Sequence, residues 1–160
     1  MNDHAISPHP AGAPVILLVE DNPDDVLLTR RAVKKAGLQA SLAVVGDGDA
    51  AVSYLQGDGA YADRHAFPLP ALVLLDLKLP RRSGLEVLQW MRSRPVLALI
   101  PVVVLTSSAE DADIRQAYES GTNSYLQKPV AFNELVRMLG ALDLYWFDIN
   151  MTAPRAAARN

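Results

Sequence analysis

Short, nearly uninterrupted runs of Val, Ile and Leu alternate along this chain with longer amphipathic stretches. That alternation leaves few folds open. A strand that is apolar at every position must be covered on both faces, and the amphipathic stretches between the strands are the natural cover. The runs at 15–19, 40–45, 72–75, 101–105 and 124–126 read as strands, with the first, third and fourth central. Helices are expected at 24–36, 49–55, 84–93, 110–120 and 131–150. In the first, Val26, Thr29, Ala32, Val33 and Ala36 share one face, Arg30, Arg31, Lys34 and Lys35 fill the other, and Gly37 supplies the stop. The segment 57–70 is long for a connection of this kind, and its Tyr61 and Phe67 are expected to fold it back on the body. Residues 1–14, with three prolines, and 151–160, rich in Ala and Arg, read as flexible tails around one domain at 15–150. His4 and His9 in the first tail lack a third ligand nearby and are given no function.

Composition removes several classes of function. Half of the 160 residues are apolar, which suffices for one core, and there is no cysteine for disulfides, zinc knuckles or thiol chemistry. Lys and Arg number 15 against 18 Asp and Glu, and no basic cluster exceeds a dipeptide (Arg30-Arg31, Lys34-Lys35, Arg81-Arg82), so nucleic-acid binding is not expected. The longest apolar run, from Val96 to Leu105, is broken by Pro101 and falls short of a membrane span. No basic segment followed by an apolar one opens the chain, so a cytoplasmic location is expected.

In an open parallel sheet, ligands bind beyond the carboxyl ends of the strands. Glu20 and Asp21 follow the first strand, Asp76 the third, Thr106 and Ser107 the fourth, and Lys128-Pro129 the fifth. Each has an ordinary reading when taken singly. Glu20-Asp21-Asn22 would cap a helix, Asp76 would sit in a turn, Ser107 and Glu110 would form a capping box, and Lys128 would be solvated. Four strands delivering these groups to one edge points instead to a site. Crowded carboxylates call for a cation, and oxygen ligands without His or Cys favour Mg²⁺ together with phosphate oxygens. Lys128 would supply a point charge and Thr106 a hydroxyl to a phosphoryl group, and Asp76 is the natural nucleophile toward phosphorus.

With these motifs in place, ILLVEDNPDD, LVLLDLKLPRRSG with Pro80 and Gly84, VVVLTSS and SYLQKP, the chain resembles the receiver domains of two-component response regulators over about 15–150. It is most similar to the small stand-alone receivers paired with phytochrome-type histidine kinases. The resemblance implies a (βα)₅ flavodoxin-like α/β fold, a three-layer sandwich with parallel strand order 2-1-3-4-5. It implies phosphoryl transfer to Asp76 from a histidine kinase phosphohistidine, and Mg²⁺ held by Asp21, Asp76 and the backbone carbonyl of Lys78, with Glu20 acting through water. Lys128 would neutralise the phosphoryl oxygens across a cis Lys128-Pro129 bond, Thr106 would move to the phosphoryl group, and Tyr125 would swing inward behind it. Lys78 and Ser108 stand where receivers differ in dephosphorylation rate. The basic face of the first helix is either solvated surface or flanks the kinase dock. The catalysis implied is confined to the chain's own phosphorylation and dephosphorylation.

Two rival functions remain in view: a Mg²⁺-dependent phosphatase of the haloacid dehalogenase type, and an interaction module independent of phosphorylation. The first wants a second aspartate two positions after the nucleophile, where Lys78 stands; the second is disfavoured by a complete site. The length after Lys128 leaves no expected room for an output domain, so output would pass through protein contacts. The last helix is also expected to support a homodimer. Phe132, Leu135, Val136, Leu139, Leu142, Trp146 and Ile149 fall on the face toward the sheet, leaving Leu144, Phe147 and Met151 as a second apolar stripe, with Asp143 and Asp148 beside it to meet basic residues across a two-fold axis.

Overall fold

The computed structural model describes residues 12–154. His4, His9 and most of both tails, read above from the sequence, lie outside the described residues. Strands β1 (Val15–Val19), β2 (Ser41–Val45), β3 (Leu72–Leu75), β4 (Val102–Thr106) and β5 (Ser124–Gln127) alternate with helices α1 (Pro23–Ala36), α2 (Gly48–Gln56), α3 (Gly84–Arg92), α4 (Asp111–Glu119) and α5 (Phe132–Leu144). All strand pairs are parallel, and the order is β2-β1-β3-β4-β5, as expected.

Alternation along the strands divides the core in two. Leu17, Val19, Val73 and Leu75 face α2 and α3, where Ala51, Tyr54, Val87, Leu88 and Met91 are buried. Ile16, Leu18, Leu72 and Leu74 face α1 and α5, meeting Ala32, Leu135 and Leu139. β1 and β3 are buried at every position because both layers cover them. The long connection after α2 does fold back. Tyr54, Tyr61 and Phe67 meet in tilted and edge-to-face contacts with centroids 5.1 to 6.0 Å apart, and the Arg64 guanidinium donates to the carbonyls of Tyr54, Leu55 and Phe67.

Three local expectations fail for identifiable reasons. β2 begins at Ser41 because the Ala40 amide points to Asp143 of α5 rather than into the ladder. The box between Ser107 and Glu110 does not form; Ser108 Oγ accepts from the Glu110 amide at 3.3 Å and donates to Asp113 at 2.5 Å. α5 ends at Leu144 and continues as a π-helical turn over Tyr145–Ile149, closed by the Asn150 amide on the Tyr145 carbonyl. A wider turn breaks the 100° periodicity. Trp146 and Phe147 therefore both pack on the core, while Ile149 turns outward and stands 63% exposed. Phe147 does not belong to a free stripe, and the exposed apolar residues there are Leu144, Tyr145, Ile149 and Met151. Nor do Asp143 and Asp148 await a second copy. Asp143 is buried and accepts from the Gln39 and Ala40 amides at 3.3 and 3.4 Å, and Asp148 accepts from Gln39 Nε2 at 2.9 Å.

These two carboxylates make the same kind of tie at different depths. Asp143→Ala leaves two amides without their acceptor and should cost about 1–3 kcal/mol in urea unfolding, whereas Asp148→Ala, at an exposed bond, should cost less than about 0.5 kcal/mol. Equal costs would contradict the assigned role of burial.

Candidate functional site

The carboxyl ends of β1, β3, β4 and β5 converge because the parallel ladder runs past them. The Glu20 amide donates to Val45 O at 3.1 Å, the Asp76 amide to Val19 O at 3.1 Å, and the Lys128 amide to Thr106 O at 2.7 Å. Each functional side chain thus hangs on the last backbone bond of the sheet. The helix cap is taken by Asn22, whose Oδ1 accepts from the Asp24 and Asp25 amides at 2.9 and 3.3 Å. Glu20 and Asp21 are therefore left for the rim rather than used in capping.

Lys128 is the centre of the cluster. Its ammonium pairs with Glu20, with Asp25 Oδ2 at 2.9 Å and with Asp76 Oδ2 at 2.9 Å. Three carboxylates match its three N–H donors. Asp25 was not among the residues singled out from the sequence. It lies in the first turn of α1, where an acidic residue is ordinary, and nothing in its own sequence context sets it apart. The Lys128–Pro129 bond is trans, contrary to the cis form implied by resemblance; among the described residues no peptide bond is cis. The lysine reaches its three partners from the ordinary isomer, which proline favours by about 0.5–1 kcal/mol.

Burial governs the protonation of this cluster. Glu20 is buried, and removal from water pushes its carboxyl up to about 7, with the Asp76 charge adding to the rise and the Lys128 ammonium opposing it. Lys128 loses hydration, which alone would lower its pKa, but the bonds to Asp76, Glu20 and Asp25 outweigh that and the ammonium is held above its usual range.

One oxygen each from Glu20, Asp21 and Asp76 lies within 4.8 Å of the others. Donors of this hardness suit a divalent ion such as Mg²⁺, which takes oxygen ligands and keeps several of its waters. The Thr106 hydroxyl is fully buried and is a side-chain oxygen without a hydrogen-bond partner. A buried hydroxyl left unpaired is costly, which marks a place where an incoming acceptor would be welcome. Asp76 Oδ1 accepts from the Lys78 amide at 3.2 Å, which draws the start of the β3–α3 loop over the site. The described residues therefore fit a hard cation and a phosphoryl group together. Tyr125 is half-buried beside Leu77, Val104 and Ala117, and its hydroxyl donates to Ser108 O at 2.9 Å; burial pushes its pKa up. Among the described residues no helix is long and apolar enough to cross a membrane.

Comparison with known proteins points the same way. A family model described as "Response regulator receiver domain" matches residues 16–140. The "Probable methanogenesis regulatory protein FilR2" of Methanothrix harundinacea is 42% identical over 139 residues, 85% of this chain and 85% of its own length. "Response regulator Rcp1" of Synechocystis is 39% identical over 142 residues, 89% of this chain and 94% of its own. The crystal structure of the Mn²⁺-bound form of Rcp1 superposes with a TM-score of 0.78, covering 88% of this chain and 99% of that one. That of the phosphorylated cyanobacterial phytochrome response regulator RcpA is 34% identical and gives 0.80, with the same coverage.

The raised Glu20 carboxyl has a measurable sign. A carboxyl near 4.5 when unfolded and near 7 when folded binds its proton more tightly in the fold, so its contribution to stability is full below about pH 4.5 and is lost as pH rises through 7. In EDTA, the melting temperature of the wild type relative to Glu20→Gln should fall between pH 5 and pH 8. A flat difference would mean that pairing with Lys128 cancels the cost of burial.

Proposed function

The chain belongs to the response regulator receiver family, and from that premise we propose that it accepts a phosphoryl group on Asp76 from the phosphohistidine of a sensor histidine kinase, with Mg²⁺ in the carboxylate cradle. The observation that carries this reading is the buried Asp76 carboxylate at the end of β3, paired with Lys128 and flanked on the next strand by the unpartnered Thr106 hydroxyl. Asp21, Asp76 and the Lys78 carbonyl would ligate the ion directly and Glu20 through water. When bound, Mg²⁺ supplies positive charge against the carboxylates and phosphoryl oxygens.

In the transfer, an Asp76 oxygen attacks phosphorus, the P–O bond forms as the P–N bond to the kinase imidazole breaks, and the imidazole nitrogen keeps the electron pair. Lys128 Nζ turns to the phosphoryl oxygens, and Thr106 Oγ1 donates to one of them. Tyr125 then follows the β4–α4 loop inward, altering the surface around β5. Water returns the chain to its resting form, at a rate set by Lys78 and Ser108 beside the phosphoryl group. A phosphatase of the dehalogenase type is not favoured, since the residue two after Asp76 is the exposed Lys78. The receiver spans 15–150 in this reading, with tails at 1–14 and 151–160, and works in the cytoplasm. The names of RcpA and its kind support a phytochrome-type histidine kinase as the partner.

A homodimer through the C-terminal helix belongs to the same proposal. Leu144, Tyr145, Ile149 and Met151 are each at least half exposed, and a second copy of this surface would cover them across a two-fold axis. Light scattering at micromolar concentration should give a dimer for the wild type and a monomer for Ile149→Glu. A wild-type monomer, phosphorylated or not, would end this part of the proposal.

Incubation with a small phosphodonor and Mg²⁺ should add one phosphoryl group, located on Asp76 by mass spectrometry. Asp76→Ala should take up none. Full labelling of that variant would overturn the assignment.

A further inference from the structure

The loop between β3 and α3 begins beside Asp76, and it is shaped by contacts that the transfer chemistry does not use. Arg81 has φ 66°, the one non-glycine residue among those described with a positive φ. A strained residue of this kind persists only where its surroundings hold it. Two ion pairs run from the loop to the start of α2, Arg81 Nε to Asp47 Oδ2 at 3.6 Å and Arg82 Nε to Asp49 Oδ1 at 3.4 Å. Both are partly solvent-exposed, and pairs of that sort are too weak to hold a strained loop alone.

The firmer contact is steric. A Cβ on Gly48 would lie 1.9 Å from Arg82 O and 2.6 Å from Arg82 C, so the Arg82 peptide occupies the space where any other residue would carry its side chain. Gly84, two residues further on, closes just as tightly on the loop's start, where a Cβ would fall 2.1 Å from Asp76 O. Asp47 joins the two elements. Its Oδ1 caps α2 through the Ala50 amide at 2.7 Å, and its Oδ2 faces Arg81. The α3 end of the loop is thus seated both on the start of α2 and on the end of β3.

We infer that Gly48 and the Arg81–Arg82 pair form a latch that sets the position of the β3–α3 loop, and hence of the Lys78 carbonyl, over the carboxylates. They are positioning residues for the cation, an inference that rests on the proposed reading in which Lys78 supplies a ligand. The Lys78 amide on Asp76 Oδ1 and the Gly84 amide on Leu77 O, at 3.0 Å, report the loop's seating without any metal.

Two measurements on the full chain test this: Mg²⁺ binding by calorimetry, and hydrogen exchange of the Lys78 and Gly84 amides in EDTA. Gly48→Ala should bind Mg²⁺ about tenfold more weakly, the size of effect usual for outer-shell positioning groups, and should exchange faster at both amides. Gly46→Ala, where nothing lies within 4 Å of the added Cβ, should match the wild type in both. If Gly48→Ala does not fold, Arg81→Ala/Arg82→Ala carries the test, with weaker binding and faster Lys78 exchange expected. A folded Gly48→Ala, or the arginine double variant in its place, with wild-type affinity and wild-type exchange overturns the latch, even if its melting temperature falls. A wild type that binds no Mg²⁺ overturns the metal-site reading instead, and the exchange data in EDTA then still decide whether the loop is latched.

Discussion

One ammonium among three carboxylates holds the working end of this molecule together. Lys128 reaches from the end of β5 to Glu20 after β1, Asp25 in α1 and Asp76 after β3, so a single cation ties four elements. With Asp21 beside them, four acidic side chains face one lysine. Two charges about 4 Å apart interact by roughly 4 kcal/mol in surroundings typical of a protein surface, so the surplus of negative charge is a substantial unrelieved repulsion. The Glu20 carboxyl is pushed up to about 7 mainly by its burial, and the Asp76 charge adds to that rise. A surplus of this kind favours a further cation, and on the proposed reading that cation is what lets Asp76 carry a dianion.

The opposite end of the sheet is closed in a different way. Arg92 of α3 donates to the carbonyls of Gly121, Ala98 and Ile100 and to Asn123 Oδ1, all between 2.9 and 3.1 Å. Thr122 Oγ1 bridges the carbonyls of Val102 and Ser124, and Asn123 Oδ1 accepts the Val102 amide at 2.8 Å. Polar groups there are satisfied within the chain, and β4 and β5 are fixed where they enter the sheet. At their exits, by contrast, Thr106 Oγ1 is unpaired. The one unsatisfied buried side-chain oxygen among the described residues therefore lies at the rim and not at the anchored end.

Much of this was legible in the sequence, and what escaped it did so for physical reasons. β1 and β3 could be bounded to the residue because strands covered on both faces are apolar throughout and end sharply in acidic residues. The rim residues Glu20, Asp21, Asp76, Thr106 and Lys128 could be found because a parallel sheet places everything that follows a strand at the same edge. Asp25 and Gly48 could not, since each matters only through a neighbour distant in the chain, Lys128 in one case and Arg82 in the other. The end of α5 was misread because helical periodicity presumes a constant turn, and the π-helical turn at Tyr145–Ile149 exchanges the places of Phe147 and Ile149. The trans Lys128–Pro129 bond corrects an expectation that came from resemblance rather than from the residues themselves.

The unpaired Thr106 hydroxyl also shows how a change at Asp76 would reach the surface on the proposed reading. Thr106 ends β4, and the next two residues are held from β5: Gln127 Nε2 donates to Ser107 O at 3.4 Å and the Tyr125 hydroxyl to Ser108 O at 2.9 Å. Ser108 in turn is bonded to Asp113 in the first turn of α4. A phosphoryl oxygen that gave Thr106 Oγ1 a partner would draw the start of this loop toward the site, and the carbonyls that Tyr125 and Gln127 grip would move with it. The Tyr125 hydroxyl is held by a backbone carbonyl, which moves with the loop, while its ring packs beside Leu77, Val104 and Ala117. On that reading, satisfying one buried hydroxyl is coupled to the face formed by α4 and β5 through the bonds of Tyr125, Gln127 and Ser108.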